Sequence, residues 1–131
     1  MSLKGSHVSY WETNKRYFQG GAMAEIRNED DFLDFMFKIG QTKKFGVIRP
    51  PVVLGDGTTI SIQASEVHYS TPRENNRRVY LSWELGFPSR EIPEILKYME
   101  GLNHDPTDSV YPFVPTRVIL ELIRSTGGTI M

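Results

Sequence analysis

Two β-forming runs, Pro51 to Leu54 and Thr58 to Gln63, meet at Gly55-Asp56-Gly57. An Asp-Gly turn between such runs folds the chain back on itself as a hairpin and commits the middle of the sequence to an antiparallel sheet. Phe45 to Ile48 precedes the hairpin as a further short strand. Arg78 to Leu85 alternates Val79, Leu81, Trp83 and Leu85 against Tyr80, Ser82 and Glu84, the period of a strand with one buried face. The first set is expected to face the core. Val110 to Val114 supplies one more strand.

The flanking segments carry helix signals. Asn28 is placed to cap a helix from Glu29 to Ile39, the acidic Glu29, Asp30 and Asp31 favour its positive end, and Gly40 closes it. Phe32, Leu33, Phe35, Met36, Phe37 and Ile39 are apolar on more than one side, so this helix is expected to meet two surfaces or another subunit. A second helix is expected from about Arg90 or Pro93 to Glu100. A third starts at Pro115 and runs to Arg124, with Val118, Ile119, Leu122 and Ile123 on one face and Gly127-Gly128 at its end. With 131 residues there is material for one core. The fold class is therefore α+β: a small antiparallel sheet, mainly a meander, packed with two or three helices in a single domain over residues 28–131. Residues 1–27 have neither a signal-peptide core nor a clear period, and Tyr17 to Met23 looks like the scar of a cleavable tag, so this arm is read as vector-derived or disordered.

Several function classes drop out. Fifteen Lys plus Arg against 16 Asp plus Glu give a net charge of -1, too little excess cation for a nonspecific nucleic-acid coat. No apolar run approaches the roughly 20 residues of a membrane span. Without Cys there is no disulfide, thiolate zinc site or Cys nucleophile. His7, His68 and His104 lack metal-ligand spacing, and the nucleophile-elbow, phosphate-loop and dinucleotide-loop patterns are missing, so neither a metal nor a cofactor is expected. Glu66, Glu74, Glu84, Glu91 and Glu94 would serve as acid and base only if folding paired two of them in a dry cleft, and their ordinary role is solvated surface.

The densest polar and aromatic stretch is Ile62 to Arg78, which carries His68, Tyr69, several hydroxyls and the guanidiniums of Arg73, Arg77 and Arg78. Compact domains keep connections short unless they have work to do. Arg binds phosphate in a bidentate manner and Tyr69 or His68 can stack on a base, so the stretch suits a phosphorylated aromatic ligand. The alternative is a plain hairpin connection whose Arg residues pair with Glu74 and Glu84 and whose Tyr69 caps the core. A second cluster is Tyr111-Pro112-Phe113-Val114-Pro115-Thr116-Arg117. There Arg117 sits in the first turn of a helix, opposing its dipole, and Arg124 extends a positive strip on roughly the same face.

Ser61-Ile62-Gln63-Ala64-Ser65, His68-Tyr69, Pro72-Arg73, Gly86-Phe87-Pro88-Ser89, Val110-Tyr111 and Val114-Pro115, ahead of Gly127-Gly128, together resemble small phage and prophage proteins of the Thoeris anti-defence 1 family, over about residues 55 to 128. The resemblance implies a non-enzymatic sponge for a cyclic ADP-ribose isomer, the signal of bacterial TIR-domain defence. It also implies a phage-encoded homo-oligomer in the bacterial cytoplasm with pockets at subunit contacts. By position, Arg73 and Arg117 would hold phosphates, Phe87 would face the adenine, and Asn103 is a further transfer. Two other readings stand beside it. One is a nucleotide or ADP-ribose hydrolase with Glu66 or Glu84 as base. The other is a protein-binding inhibitor that presents Trp11 and the Phe-rich helix.

Overall fold

A computed structural model describes residues 23–101 and 104–131. Trp11 and Asn103 lie outside the described residues. The hairpin forms as its turn dictates. Strands β4 (Val52–Val53) and β5 (Thr59–Gln63) pair antiparallel, the Leu54 N–H donates to the Thr58 carbonyl at 2.8 Å, and Asp56 Oδ1 accepts the Thr58 N–H at 2.9 Å. A Cβ on Gly55 would stand 2.2 Å from the Thr126 carbonyl oxygen, so the close approach of the chain end requires glycine there.

Strands β6 (Ser82–Gly86) and β7 (Val110–Pro115) complete a four-stranded antiparallel sheet in the order β4-β5-β6-β7, the expected meander. Ile62 stands opposite Leu85, and Gln63 opposite Glu84. Between β6 and β7 the register slips: Trp83 faces Val114 but Leu85 faces Tyr111, so Pro112 and Phe113 together oppose Glu84. This is a β-bulge, and it accommodates a proline that has no N–H for the ladder. A ribbon of β1 (Ala24–Glu25) and β8 (Thr129–Ile130) lies along the outer edge of β4 through the bridge of Leu54 with Ile130 and reciprocal backbone bonds between Val53 and Met131. Ile26 is buried beside it. The folded body thus begins before Asn28. Strands β2 (Gln41–Thr42) and β3 (Val47–Ile48) form a separate small hairpin.

One sheet face is closed by helices α1 (Glu29–Ile39) and α2 (Thr116–Ser125). Helix α1 has the expected cap, with Asn28 Oδ1 accepting the Asp31 N–H at 2.9 Å. Its Phe32 ring meets Trp83 edge-on at 5.3 Å and Met36 is fully buried. Ile119, Leu122 and Ile123 of α2 fill the rest of the layer with Ile60, Ile62, Leu85 and Val114. Burying each such side chain contributes on the order of 2–3 kcal/mol. Phe37 is partly covered by the Arg78 guanidinium, 3.9 Å from its ring centre, so the aromatic surplus of α1 is largely used within the chain.

Two expectations are corrected. The alternation in Arg78–Leu85 holds only from Ser82 onward: Trp83 and Leu85 face the core, but Val79 and Leu81 are 52% and 64% exposed, while Tyr80 is buried. Tyr80 turns inward because its ring packs on Trp83 at 5.0 Å, its hydroxyl donates to the Glu74 carbonyl, and its own carbonyl accepts from Thr116 Oγ1 at 2.6 Å. A polar anchor thus overrides the two-residue period. The middle helix, Pro93–Tyr98, is a 3-10 helix, closed by three-residue bonds such as Ile95 N–H to the Ile92 carbonyl at 3.1 Å.

Candidate ligand-binding cleft

The sheet face away from the helices carries a small cleft of about 130 Å³. Its floor is Ser61 and Gln63 from β5 with Glu84, Leu85 and Gly86 from β6; Phe87 and Val110 stand at one end and His68 at the other. The strand period explains the set, because Ile60, Ile62, Trp83 and Leu85 point to the core and leave Ser61, Gln63 and Glu84 on the opposite side.

The expected site loop is tied down around this cleft. The His68 N–H donates to the Ser65 carbonyl at 3.2 Å, Thr71 bridges to Ser82, and the Tyr69 carbonyl accepts the Phe113 N–H at 3.1 Å. Tyr69 and Phe113 rings lie 5.8 Å apart, and the Arg73 guanidinium sits 4.9 Å over Tyr69. Tyr69 is 41% exposed and does not cap the core; Tyr80 does that. Arg77 pairs with Glu74 and Arg78 with Asp34, whereas among the described residues Arg73 forms no ion pair. Phe87 and Phe113, 56% and 46% exposed, both adopt left-handed backbone with φ of 52° and 56°. Bulky residues held in that region cost energy and gather at ligand-contacting sites.

Two titratable groups face the cleft, and both are pushed toward their uncharged forms. Burial lowers the pKa of His68 from its ordinary value, helped by the positive charges of Arg49 and Arg73. Burial raises that of Glu84; the Tyr69 N–H opposes this, Glu100 adds to it, and Arg73 opposes it. His68 Nδ1 lies 2.7 Å from Ser65 Oγ, which also accepts the Val67 N–H at 3.1 Å.

Of the residues expected to bind ligand, His68 and Phe87 line the cleft, and Tyr69, Arg73 and Phe113 adjoin it through the contacts above. Tyr111 does not belong: its side chain is fully buried and its hydroxyl donates to the Pro106 carbonyl, making it a core residue of β7. Arg117 and Arg124 are exposed on α2 and line no part of the cleft, and Arg124 pairs with Glu121 at 3.3 Å. Glu66 is also exposed and outside it, which leaves Glu84 as the carboxylate in place. Ser61, Gln63 and Ser65 were not singled out individually by sequence. The signal for Ser61 and Gln63 is alternation in β5, where they interleave with Ile60 and Ile62; Ser65 lies past the strand end, with no such signal.

A larger open groove of about 410 Å³ runs beside α1, lined by Asp30, Asp31, Leu33, Asp34, Arg78 and Val79. Three carboxylates against one guanidinium, itself 3.6 Å from Asp34, make it unsuited to an anion. Among the described residues no three His, Asp or Glu side chains converge as a metal-binding group, and no helix is long and apolar enough to cross a membrane. Comparison with protein families, curated proteins and solved structures finds no match to this chain.

Proposed function

We propose that this protein binds and sequesters a cyclic ADP-ribose-type nucleotide without cleaving it, as a phage anti-defence protein acting in the host cytoplasm against TIR-based immunity. The observation that carries the reading is the cluster at the cleft: Arg73, without an ion pair among the described residues, stacked on Tyr69, Tyr69 against Phe113, and Phe87 at the rim. A guanidinium supplies paired donors to a phosphate, and exposed rings supply a face for a base. The cleft is small for a whole nucleotide. The exposed Val79, Leu81 and Phe113 fit a homo-oligomer in which a second copy completes the pocket and brings its Arg117 to the ligand.

The test is to incubate the protein with the products of a TIR-domain enzyme acting on NAD, remove free ligand, denature by heat and identify what is released by mass spectrometry. An intact cyclic isomer is expected. Arg73→Ala should fold normally and weaken retention by about 1.5–3 kcal/mol, the range for a lost charge-assisted hydrogen bond. Unchanged retention would remove Arg73 from the site. A second reading, a hydrolase of the same ligand, is favoured by Glu84 and His68 sharing the cleft, and release of an opened product would select it.

A further inference from the structure

The cleft floor and the Arg73 cluster have different chemistry. Gln63 is fully engaged: its Oε1 accepts the Arg49 N–H at 2.9 Å, and its Nε2 donates to the Arg49 carbonyl at 2.7 Å and to Ser61 Oγ at 3.0 Å. His68 has Nδ1 committed to Ser65, which leaves Nε2 as its ring atom with spare capacity. The Glu84 carboxyl lines the cleft with the Tyr69 N–H beside it and, among the described residues, forms no ion pair and no hydrogen bond to another side chain. A phosphate placed on this floor would meet a carboxyl group, an acceptor when ionised, whereas a hydroxyl donates a hydrogen bond to a carboxylate and accepts one from an imidazole N–H.

We propose that the cleft floor is a sugar subsite, in which Glu84 and His68 Nε2 read neighbouring hydroxyls of a pentose and Ser65 is the positioning residue that keeps the His68 N–H on Nε2, leaving phosphate to Arg73. This rests on the nucleotide-sequestration reading and divides its ligand between two places. The Ser65 hydroxyl is placed for the part: it is fully buried, the Val67 N–H occupies one of its lone pairs, and in this role its own proton points to His68 Nδ1, 2.7 Å away. With that bond made, Nδ1 accepts and Nε2 carries the hydrogen.

The sign of one substitution separates sugar from phosphate. In the capture experiment with cyclic ADP-ribose isomers, Glu84→Gln should weaken retention about tenfold, because one of two carboxyl acceptors is replaced by an amide donor. A phosphate on the floor would give tighter retention, since the substitution removes a repulsive charge. Equal or tighter retention by Glu84→Gln, with the wild type retaining nucleotide, overturns the sugar subsite alone. Failure of the wild type to retain any nucleotide overturns the sequestration reading and the subsite together. The role of Ser65 has a readout that needs no ligand: imidazole nitrogen NMR of the free protein should show His68 Nδ1 unprotonated and Nε2 protonated, and Ser65→Ala should mix the tautomers. A wild-type His68 protonated at Nδ1 overturns the positioning role.

Discussion

Behind the sheet and in front of it, the protein houses two guanidiniums in opposite ways, and Gln63 links the two places. Arg49, only 2% exposed, lies behind: Nε donates to the Met36 carbonyl and Nη1 to the Ala64 carbonyl, each at 2.8 Å, with the group 5.2 Å from the Trp83 ring centre. No carboxylate meets it among the described residues. Its charge is held by the negative end of α1, whose last-turn carbonyl it caps, and by aromatic faces. Burial nonetheless lowers its pKa from the ordinary value, with Tyr80 opposing. Arg73 lies in front, exposed, over one ring and with no ion pair among the described residues. Where the protein satisfies a polar group itself, as at Arg49, the group is structural; at Arg73 donors keep spare capacity beside aromatics in left-handed backbone, which is what the proposed nucleotide site uses.

Arg49→Ala tests that contrast most severely. It should cost about 3 kcal/mol in urea denaturation, because two buried carbonyls lose a charged donor and the Trp83 face loses its cover. Arg73→Ala should leave the same midpoint within about 0.5 kcal/mol. A large loss at Arg73, or none at Arg49, would reverse the assignment of the two.

Phe87→Asn sharpens it at the cleft rim. Asn tolerates left-handed backbone better than Phe, and little buried surface is lost at a ring more than half exposed, so stability should rise by up to about 1 kcal/mol while nucleotide retention falls. A variant that loses stability would make Phe87 a packing residue.

The smallest effect is in pH. Because folding lowers the pKa of His68, the unfolded chain holds the extra proton between the ordinary value of 6.5 and the folded one, and stability falls as pH drops through that window. Glu84 has the opposite sign: its raised folded value lets the native state hold the extra proton above 4.5, so stability rises as pH drops there. His68→Asn should therefore abolish the acid loss and leave the shallow gain from Glu84, a change under about 1 kcal/mol between urea midpoints at pH 7 and pH 5. An unchanged slope would place the titration elsewhere.

Much of this architecture was legible in the residues. Local chemistry acts over a few positions, so the turn at Gly55-Asp56-Gly57, the Asn28 cap, the apolar face of α2 and the antiparallel α+β class follow from sequence. Part of the cleft was legible for the same reason: His68, Tyr69 and Arg73 share one polar loop, and Phe87 marks the end of a strand. Long-range partners decided the rest. Tyr80 displaced Val79 and Leu81 from the core because Trp83 and Thr116 were there to receive it. Tyr111 left the site because Pro106 took its hydroxyl, and Glu84, not Glu66, came to the cleft because β6 paired with β5 and put it opposite Gln63. Arg49 has no local pattern that marks it for burial; a helix end, a loop carbonyl and an indole, all distant in sequence, close around it. Sequence specifies what each residue prefers within a turn of its neighbours; burial and the satisfaction of polar atoms depend on groups dozens of positions away, and only the folded chain brings those together.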